Sequence, residues 1–597
     1  MDNPAHPLSS SFLFHPSSLK KAIAALLLGA LLLLGSGFAA ASNVESGKSL
    51  NLAGKVVDAV SNQPVAGAIV QVKGQITQTT TTAQGAFALP GVEFSQMITV
   101  TAWAKNYYVG SAVLDSSTLS LSTLPEVQIA LKPLYTTDNY KYPWFSFQGV
   151  KGSASCGICH REYNEWKKDA HSQSAVNQRF ITLYQGTDVK GRKGQLTAYG
   201  TDGKVLPPDP AKPSYGPGYK LDNPQRSGNC AACHTPVAAQ IPNQKNCGWS
   251  GCHTYLTSER AAGVMDGGVS PLYLTGDAAE GVTCDFCHKV GEVILDPHTR
   301  LPLADMPGIL SMRLFRPEDG NQLFFGTVLD VPRRVTYSAL ETQSEFCAPC
   351  HYGVFGGIVG NGSVSGGVVI YNSYGEWLNS PYSDPKTGKT CQSCHMRVSD
   401  ANYFVFPDKG GLERDYVDLH NHYMPGAADA QLLQNSVTLQ SSAKRVGAKL
   451  QVTVSITNDQ TGHSIPTDSP MREMILVVEA LDASGKRLSL SQGTVLPAWT
   501  GDYAALPGKT YSKILRDDWT GETPSAAYWR PVTIVQDTRL AALATDTTSY
   551  SFDLASGKAA SVNVRLIFRR AFQSLAAQKG WTDPDIVMEQ AAIQVDK

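Results

Sequence analysis

The sequence has no cysteine outside six closely spaced pairs, few histidines, and no excess of charge of either sign. All 12 cysteines of the 597 residues belong to these pairs, so none is left over for another role. The formal net charge is −1, and only 17% of the residues are charged. Because no basic stripe is present to pair with phosphates, we expect no nucleic-acid partner.

The first 41 residues are typical of an export signal. Lys20 and Lys21 precede an apolar run over 22–34, and the small residues Ala39-Ala40-Ala41 follow as a cleavage pattern. The alternative is an uncleaved anchor, since 22–41 has about the 20 residues that span a bilayer. No later segment is apolar enough to span one. We expect an exported protein, periplasmic or at the cell surface, that starts near Ser42.

Each cysteine pair is followed at once by a histidine. The six motifs are Cys156-Cys159-His160, Cys230-Cys233-His234, Cys247-Cys252-His253, Cys284-Cys287-His288, Cys347-Cys350-His351 and Cys391-Cys394-His395. Five have the spacing Cys-x-x-Cys-His, which is typical of c-type haem attachment. Each thiol would bond one vinyl group of the porphyrin, and the histidine would be the proximal iron ligand.

Two other interpretations of the pairs are halves of a zinc ribbon and disulfides of an exported protein. Neither requires a histidine after the second cysteine, and six such coincidences are not credible with 13 histidines in the chain. The stretched motif, Cys247-Cys252-His253, has a longer loop that fits the vinyl spacing less tightly, and a local disulfide is its main alternative. The sequence predicts six haems c, or five if the stretched motif binds none.

Five histidines remain outside the motifs once the signal is removed. They are His171, His298, His420, His422 and His463. We predict them as distal iron ligands, although His298 also fits an exposed turn. Five histidines cannot complete six irons, so one iron takes another ligand, for which Met424 is the best placed, or stays open to a small substrate.

Spacing limits which histidines share an iron. The segment 156–171 predicts one helix, which would place His160 and His171 on one face about 16 Å apart. His171 would therefore serve a neighbouring haem. His420 and His422 would lie about 7 Å apart on an extended chain, which suits two different haems. His463 follows a predicted strand of the C-terminal region, so ligation by it would fix that region to the haem domain.

The chain divides into three predicted domains after the signal peptide (1–41). Period-two apolar positions with Pro and Gly turns predict a β-sandwich over 50–133. The motifs occupy a mostly irregular or α-helical haem domain over 138–427, in which the loop 189–226 is predicted to lie at the surface. Strands over 450–456, 474–480 and 562–568 predict a C-terminal β-sandwich over 433–597, with a short helix near 571–580.

Two resemblances follow from these residues. Residues 50–133 resemble the carboxypeptidase regulatory-like domain, a module of exported proteins. The haem domain resembles the group of the nitrifier tetrahaem cytochrome c and hydroxylamine oxidoreductase, and this resemblance extends into the C-terminal domain. The matching residues are Tyr163, Trp166 and His171 after the first motif, Gly281-Val-Thr-Cys284, Glu376-Trp377-Leu-Asn-Ser-Pro381, and Gly462-His463 with Pro466-Thr467. The resemblance implies a distal-ligand role for His171. The number of motifs departs from the tetrahaem pattern, so haem order cannot be carried over.

The preferred interpretation is a hexahaem cytochrome that carries electrons from a quinol-side donor to a downstream acceptor, with no catalytic residue of its own. Association with a membrane is then expected only through partners. A second interpretation is a reductase or oxidase of a small nitrogen or sulfur compound at an open iron. A third is a subunit of a cell-surface filament or complex, with the β-regions as contacts.

Overall fold

The computed structural model describes residues 49–93, 97–115, 126–139, 141–201, 205–238, 271–318, 321–332, 334–360, 363–415, 419–555 and 558–596. The predicted signal peptide and the stretched motif lie outside these ranges. Among the helices inside them, none combines the length and the hydropathy needed to cross a bilayer.

The described residues of the N-terminal region, from 49 to 131, contain seven strands. They are β1 Ser49–Asp58, β2 Ile69–Val72, β3 Gln78–Thr80, β4 Ala86–Glu93, β5 Met97–Trp103, β6 Gly110–Asp115 and β7 Val127–Leu131. A three-stranded sheet has the order β4-β1-β7 and a four-stranded sheet the order β3-β2-β5-β6. Alternate residues of each sheet, such as Val56, Val70, Val100 and Ile129, are fully buried in one shared core. The predicted period-two pattern is thus confirmed.

The middle region has only short strands, and those among its described residues pair two by two. They are β8 Ser146–Phe147, β9 Val150–Lys151, β10 Val290–Val293, β11 Met312–Leu314, β12 Phe324–Gly326, β13 Val335–Tyr337, β14 Gly353–Phe355, β15 Ile358–Gly360, β16 Ser363–Ser365 and β17 Val368–Tyr371. Its buried apolar residues form small separate clusters. Little regular structure therefore holds this part of the chain together by itself.

Nine short α-helices and several 3₁₀ turns complete the described residues. The α-helices are α1 Glu162–Trp166, α2 Gln178–Gln185, α3 Tyr219–Asp222, α4 Ala231–His234, α5 Cys284–Cys287, α6 Ser373–Leu378, α7 Cys391–His395, α8 Ala430–Gln434 and α9 Gln573–Lys579. The 3₁₀ turns are Gly152–Ile158, His171–Gln173, Pro271–Tyr273, Gly276–Glu280, Gly308–Ser311, Ala339–Thr342, Ser344–Phe346, Pro381–Ser383, Pro407–Lys409 and Ala498–Tyr503.

The single helix predicted over 156–171 is wrong. The chain forms a 3₁₀ turn, then α1, then a second 3₁₀ turn that begins at His171. Asp169 interrupts the helix because its carboxylate accepts the backbone N–H of His171 at 2.9 Å, a local bond that competes with helical pairing. His171 is therefore not aligned with His160 on one face.

In the C-terminal region, the described residues from 438 onwards form ten strands. They are β18 Thr438–Val446, β19 Lys449–Thr457, β20 Glu473–Asp482, β21 Leu490–Gln492, β22 Gly508–Tyr511, β23 Lys513–Asp517, β24 Val532–Asp537, β25 Thr545–Asp553, β26 Ala560–Arg569 and β27 Ile586–Val595. Two four-stranded sheets, β18-β19-β25-β21 and β22-β20-β26-β27, share one buried core, and β23 pairs with β24. The three predicted strands and the helix near 571–580 are confirmed.

A buried ion-pair network joins the C-terminal region to the middle region. Arg530 donates to both carboxylate oxygens of Asp222 at 2.7 Å and to Asp517 at 2.5 Å. Trp529 donates its indole N–H to the same Asp222 at 2.6 Å. Asp222 ends α3 and is only 5% exposed, so this end of the predicted surface loop 189–226 is instead an interior anchor. A buried charge is tolerated only when it is paired in this way.

Candidate haem-binding site

The five described motifs adopt the same local shape. In four of them the backbone N–H of the histidine donates to the carbonyl of the first cysteine, at 2.8 to 3.1 Å, and the fifth is helix α7. Each motif is therefore one helical turn. Residues four apart lie on the same side of a helix, so the first thiol and the imidazole of each motif share a face.

Side-chain caps fix where two of these turns begin. Thr283 accepts the N–H of Phe286 at 3.1 Å, and Thr390 accepts the N–H of Ser393 at 3.3 Å. Threonine N-caps satisfy donors that a helix start leaves unpaired. Each cap directly precedes the first cysteine of its motif, Cys284 or Cys391, so helix and motif start together.

The motifs are packed against one another in an order that differs from the sequence. Thiols of different motifs are in hydrogen-bond contact in three pairs: Cys156 with Cys284, Cys233 with Cys350, and Cys347 with Cys391. The first and third pairs have a matching support. Ser153 accepts the N–H of Cys284 at 3.2 Å, and Ser344 accepts the N–H of Cys391 at 3.0 Å. Ser153 lies three residues before Cys156, and Ser344 lies three residues before Cys347. The two motif pairs therefore pack in the same arrangement.

None of the ten described cysteines is paired in a disulfide, and each is partly buried. Within the described ranges, no group of three or more His, Cys, Asp or Glu side chains converges as it would around a metal ion. The four-thiolate cluster of a zinc ribbon is thus not formed by these ten residues. Burial raises the pKa of the Cys230 thiol to about 12, so this thiol is neutral at pH 7.

Three motif histidines face three of the predicted distal histidines. The ring centroids are 6.2 Å apart for His171 and His351, 6.3 Å for His288 and His422, and 6.4 Å for His395 and His463. Two imidazoles that bind one metal from opposite sides, each through a bond of about 2 Å, have their centroids roughly 6 Å apart. The three separations match this geometry.

These six histidines, together with His234 and His420, are held through the other ring nitrogen. All eight have Nδ1 within 3.4 Å of a carbonyl or carboxylate oxygen. The acceptors are Asp169 for His171 (2.6 Å), Ser174 for His234 (2.9 Å), Phe325 for His288 (2.7 Å), Asp468 for His351 (3.4 Å), Pro425 for His395 (2.9 Å), Met396 for His420 (2.6 Å), His420 for His422 (3.2 Å) and Ser464 for His463 (2.9 Å). An Nδ1–H donor leaves Nε2 as the free lone pair, which is how metal-binding histidines are oriented.

Burial favours the neutral, metal-binding form of four of the described histidine rings. It lowers the pKa of His160, His234, His395 and His422 to about 4. His351 differs: burial lowers its pKa, but the hydrogen bond and the charge of Asp468 outweigh burial and raise the pKa to about 9. Taken together, paired rings, anchored Nδ1 atoms and thiols on the same face form a donor set that fits covalently attached haem.

Two motif histidines have a phenylalanine ring beside them. The ring of Phe180 stacks on His234 at 3.7 Å and 5°, and Phe404 lies parallel to His160 at 6.3 Å. His420 is joined to Val398 by an isolated antiparallel β-bridge. His298 is exposed in the turn closed by Asp296. The predicted ligand roles of His298 and His420 stay predictions.

The remaining predicted ligands are placed as follows. Met424 is half-buried, and its N–H donates to Asp169 at 3.2 Å. The stretched motif, Cys247, Cys252 and His253, lies outside the described residues. His171 is brought to His351 rather than to His160, and its predicted role as a ligand of a neighbouring haem stays a prediction.

Two acidic residues, Glu376 and Asp468, hold the loop that carries His463 in place by hydrogen bonds. Glu376 of α6 accepts the N–H of Ser464 at 3.1 Å and pairs with Arg539 at 2.6 Å. Asp468 accepts the N–H groups of Asn372 and Ser373 at 3.0 and 2.9 Å. Because Asp468 also faces His351, one loop of the C-terminal region serves two histidine pairs. The prediction that His463 ties this region to the motifs agrees with these contacts.

Sequence reasoning missed the residues that orient the histidines. The role of Asp169 could have been found from the sequence, because this residue lies only two positions before His171. No sequence pattern indicates the role of Asp468, because it is 117 residues from His351. Gly281, noted only through a resemblance, has a structural reason: its φ is +84°, and a Cβ there would lie 2.6 Å from the carbonyl of His171. Glycine thus lets the segment before Cys284 approach His171 closely.

Comparisons with known proteins match one family model to part of the chain, and the solved structures that match include two described below. The search of curated proteins found no match. A crystal structure of a penta-heme cytochrome c552 from Thermochromatium tepidum is 20% identical, covers 74% of this chain and 98% of its own, and has a TM-score of 0.48. The Fcho1 Mu homology domain of Danio rerio with bound Eps15 peptide is 14% identical, covers 27% and 44%, and has a TM-score of 0.11. Residues 51–132 match the family model of the carboxypeptidase regulatory-like domain, which confirms the resemblance predicted for 50–133.

Proposed function

We propose that this protein is an exported multihaem c-type cytochrome that carries electrons along covalently bound haems. The observation that carries the proposal is the set of three histidine pairs at 6.2 to 6.4 Å, each containing one Cys-x-x-Cys-His histidine. A bound haem supplies an iron that takes up and releases one electron. The chain supplies its anchoring, its ligands and its surroundings.

The residues divide into three roles. The motif cysteines are the covalent anchors, and the motif histidines are the proximal ligands. His171, His422 and His463 are distal ligands, and His420 is the remaining candidate, whereas His298 lies in an exposed turn and is assigned no iron. The thiol contacts between motifs support transfer between neighbours, because they hold the attachment points side by side. The contacts connect the motifs in a defined order. The motif of Cys156 touches that of Cys284, which lies beside that of Cys347, and the motif of Cys347 touches that of Cys391. The motif of Cys233 branches off, because it also touches the motif of Cys347.

Several finer statements belong to the same proposal. The count is six haems, with the stretched motif included. The protein works in the periplasm or at the cell surface, between a quinol-side donor and a downstream acceptor, and is related to the nitrifier tetrahaem cytochrome group. The N- and C-terminal β-regions are β-sandwiches with the boundaries given above; the shared buried core of each pair of sheets supports this.

Electron counting tests the function. A reductive titration followed by haem absorbance should consume six electrons per molecule reversibly, because each iron accepts one. The double variant Cys391→Ser, Cys394→Ser should consume one fewer, since it lacks one anchor pair. The double variant Cys247→Ser, Cys252→Ser measures the stretched motif in the same way. A wild-type protein that consumes no electrons under these conditions would rule the proposal out.

One observation favours a second candidate function, reduction or oxidation of a small nitrogen or sulfur compound. His298 is exposed, and His160 and His234 have phenylalanine neighbours. These placements leave fewer histidines beside the motifs than irons to complete. A high-spin ferric signal together with turnover of nitrite, hydroxylamine or tetrathionate would support this candidate. Six low-spin irons would remove it.

A further inference from the structure

The N-terminal region is firmly bonded to strand β13 of the middle region. Val109 donates its N–H to the carbonyl of Val335 at 2.9 Å. The hydroxyl of Thr336 accepts the indole N–H of Trp103 at 2.9 Å and donates to the carbonyl of Tyr107 at 2.7 Å. Thr336 is only 1% exposed, so water cannot replace these bonds if they break.

Strand β13 pairs with β12, and Phe325 of β12 is hydrogen-bonded to His288. Phe325 of β12 is paired with Thr336 in a parallel register. Its N–H donates to the carbonyl of His288 at 2.8 Å, and its carbonyl accepts from Nδ1 of His288 at 2.7 Å. Both the backbone and the ring of His288 are thus fixed by one residue, which is one strand away from the N-terminal region.

Further contacts fix the ends of the segment 321–337. The amide N–H of Gly74 donates to Asp330 at 2.8 Å, and Asp330 is paired with Arg414 at 2.9 Å. Lys132 donates to Asn321 at 2.9 Å. Phe325 also packs in a buried cluster with Tyr108 of the N-terminal region. The segment therefore cannot shift without breaking contacts to the N-terminal region.

We propose that the N-terminal regulatory-like region is a positioning element for the His288 metal ligand, acting through Thr336 and Phe325. The inference rests on the proposed function, in which Nε2 of His288 binds iron. A hydrogen bond from Nδ1 to a carbonyl sets the ring orientation and raises the basicity of the ligating nitrogen. Loosening the Phe325 carbonyl makes His288 a weaker donor to ferric iron, which raises the reduction potential of that one centre.

Substitution of Thr336 in the full-length holoprotein tests this role. Thr336→Val keeps the shape but leaves the Trp103 N–H and the Tyr107 carbonyl unpaired, whereas Thr336→Ser keeps the hydroxyl. Thr81→Val is the matched control. Thr81 is also buried, accepts an N–H from Ala68 at 2.8 Å and donates to the carbonyl of Val65 at 2.7 Å, all within the N-terminal region.

Two readouts are compared after haem content has been counted: hydrogen exchange of 324–337, and the midpoint potentials with low-temperature electron paramagnetic resonance. Thr336→Val should speed exchange there, raise one potential and shift one low-spin signal, with the other centres unchanged. Thr336→Ser should restore both, and Thr81→Val should speed exchange only within the N-terminal region. Faster exchange with every potential unchanged, or unchanged exchange, would overturn the inference. Protein without haem would instead overturn the proposed function, and this inference with it.

Discussion

Replacing His463 with leucine is expected to convert one low-spin haem centre of the protein to high spin. The loop that carries His463 is held by Glu376 and Asp468 rather than by the imidazole itself, so the change removes a ligand without releasing the loop. The iron bound by His395 would then have one axial histidine. Low-temperature electron paramagnetic resonance should detect one high-spin ferric signal per molecule and the loss of one low-spin signal.

His298→Leu is the control for this experiment. It removes an imidazole of the same size from an exposed turn, so the low-spin signals should stay as in the wild type. If His463→Leu leaves all low-spin signals in place, His463 is not a ligand. If His298→Leu produces the same conversion, the assignment of His298 as an exposed side chain is wrong.

Arg530→Met is expected to destabilise the protein by about 3–5 kcal/mol, the cost of breaking a buried ion pair by removing one partner. The change leaves Asp222 and Asp517 charged, with their side chains 0% exposed. The junction between the C-terminal and middle regions should open first, since Asp222 belongs to the middle region. Denaturant unfolding, followed by tryptophan fluorescence and haem absorbance, measures the loss.

A surface pair in the same region is the matched control. Arg516 pairs with Asp518 at 3.3 Å, with side chains 48% and 34% exposed. Arg516→Met should change the free energy of unfolding by less than about 1 kcal/mol, because exposed ion pairs are screened by water and salt. Equal effects of the two substitutions would contradict the assignment of Arg530 as the anchor of this junction.

The sequence predicts the parts of this molecule that depend on neighbouring residues. Each Cys-x-x-Cys-His motif is one turn of chain, and its donors are read directly from spacing. Strands such as β7 and β19 alternate buried and more exposed residues, so their period of two is visible without the structure. The family match to 51–132 agrees with the resemblance drawn from the N-terminal strand pattern.

Long-range placement could not be predicted, and the reason is physical. His171 meets His351, and His463 meets His395, through folding of segments far apart in the chain. No local pattern encodes such a contact, because it depends on how sheets and loops dock. The helix predicted through His171 fails for a local reason, since the Asp169 carboxylate competes for its backbone N–H.

The mass of the intact exported protein, measured after denaturation, tests the central claim most directly. Covalent haem survives unfolding, so we expect the mass of the chain from Ser42 plus six haems. A mass equal to the polypeptide alone would contradict it.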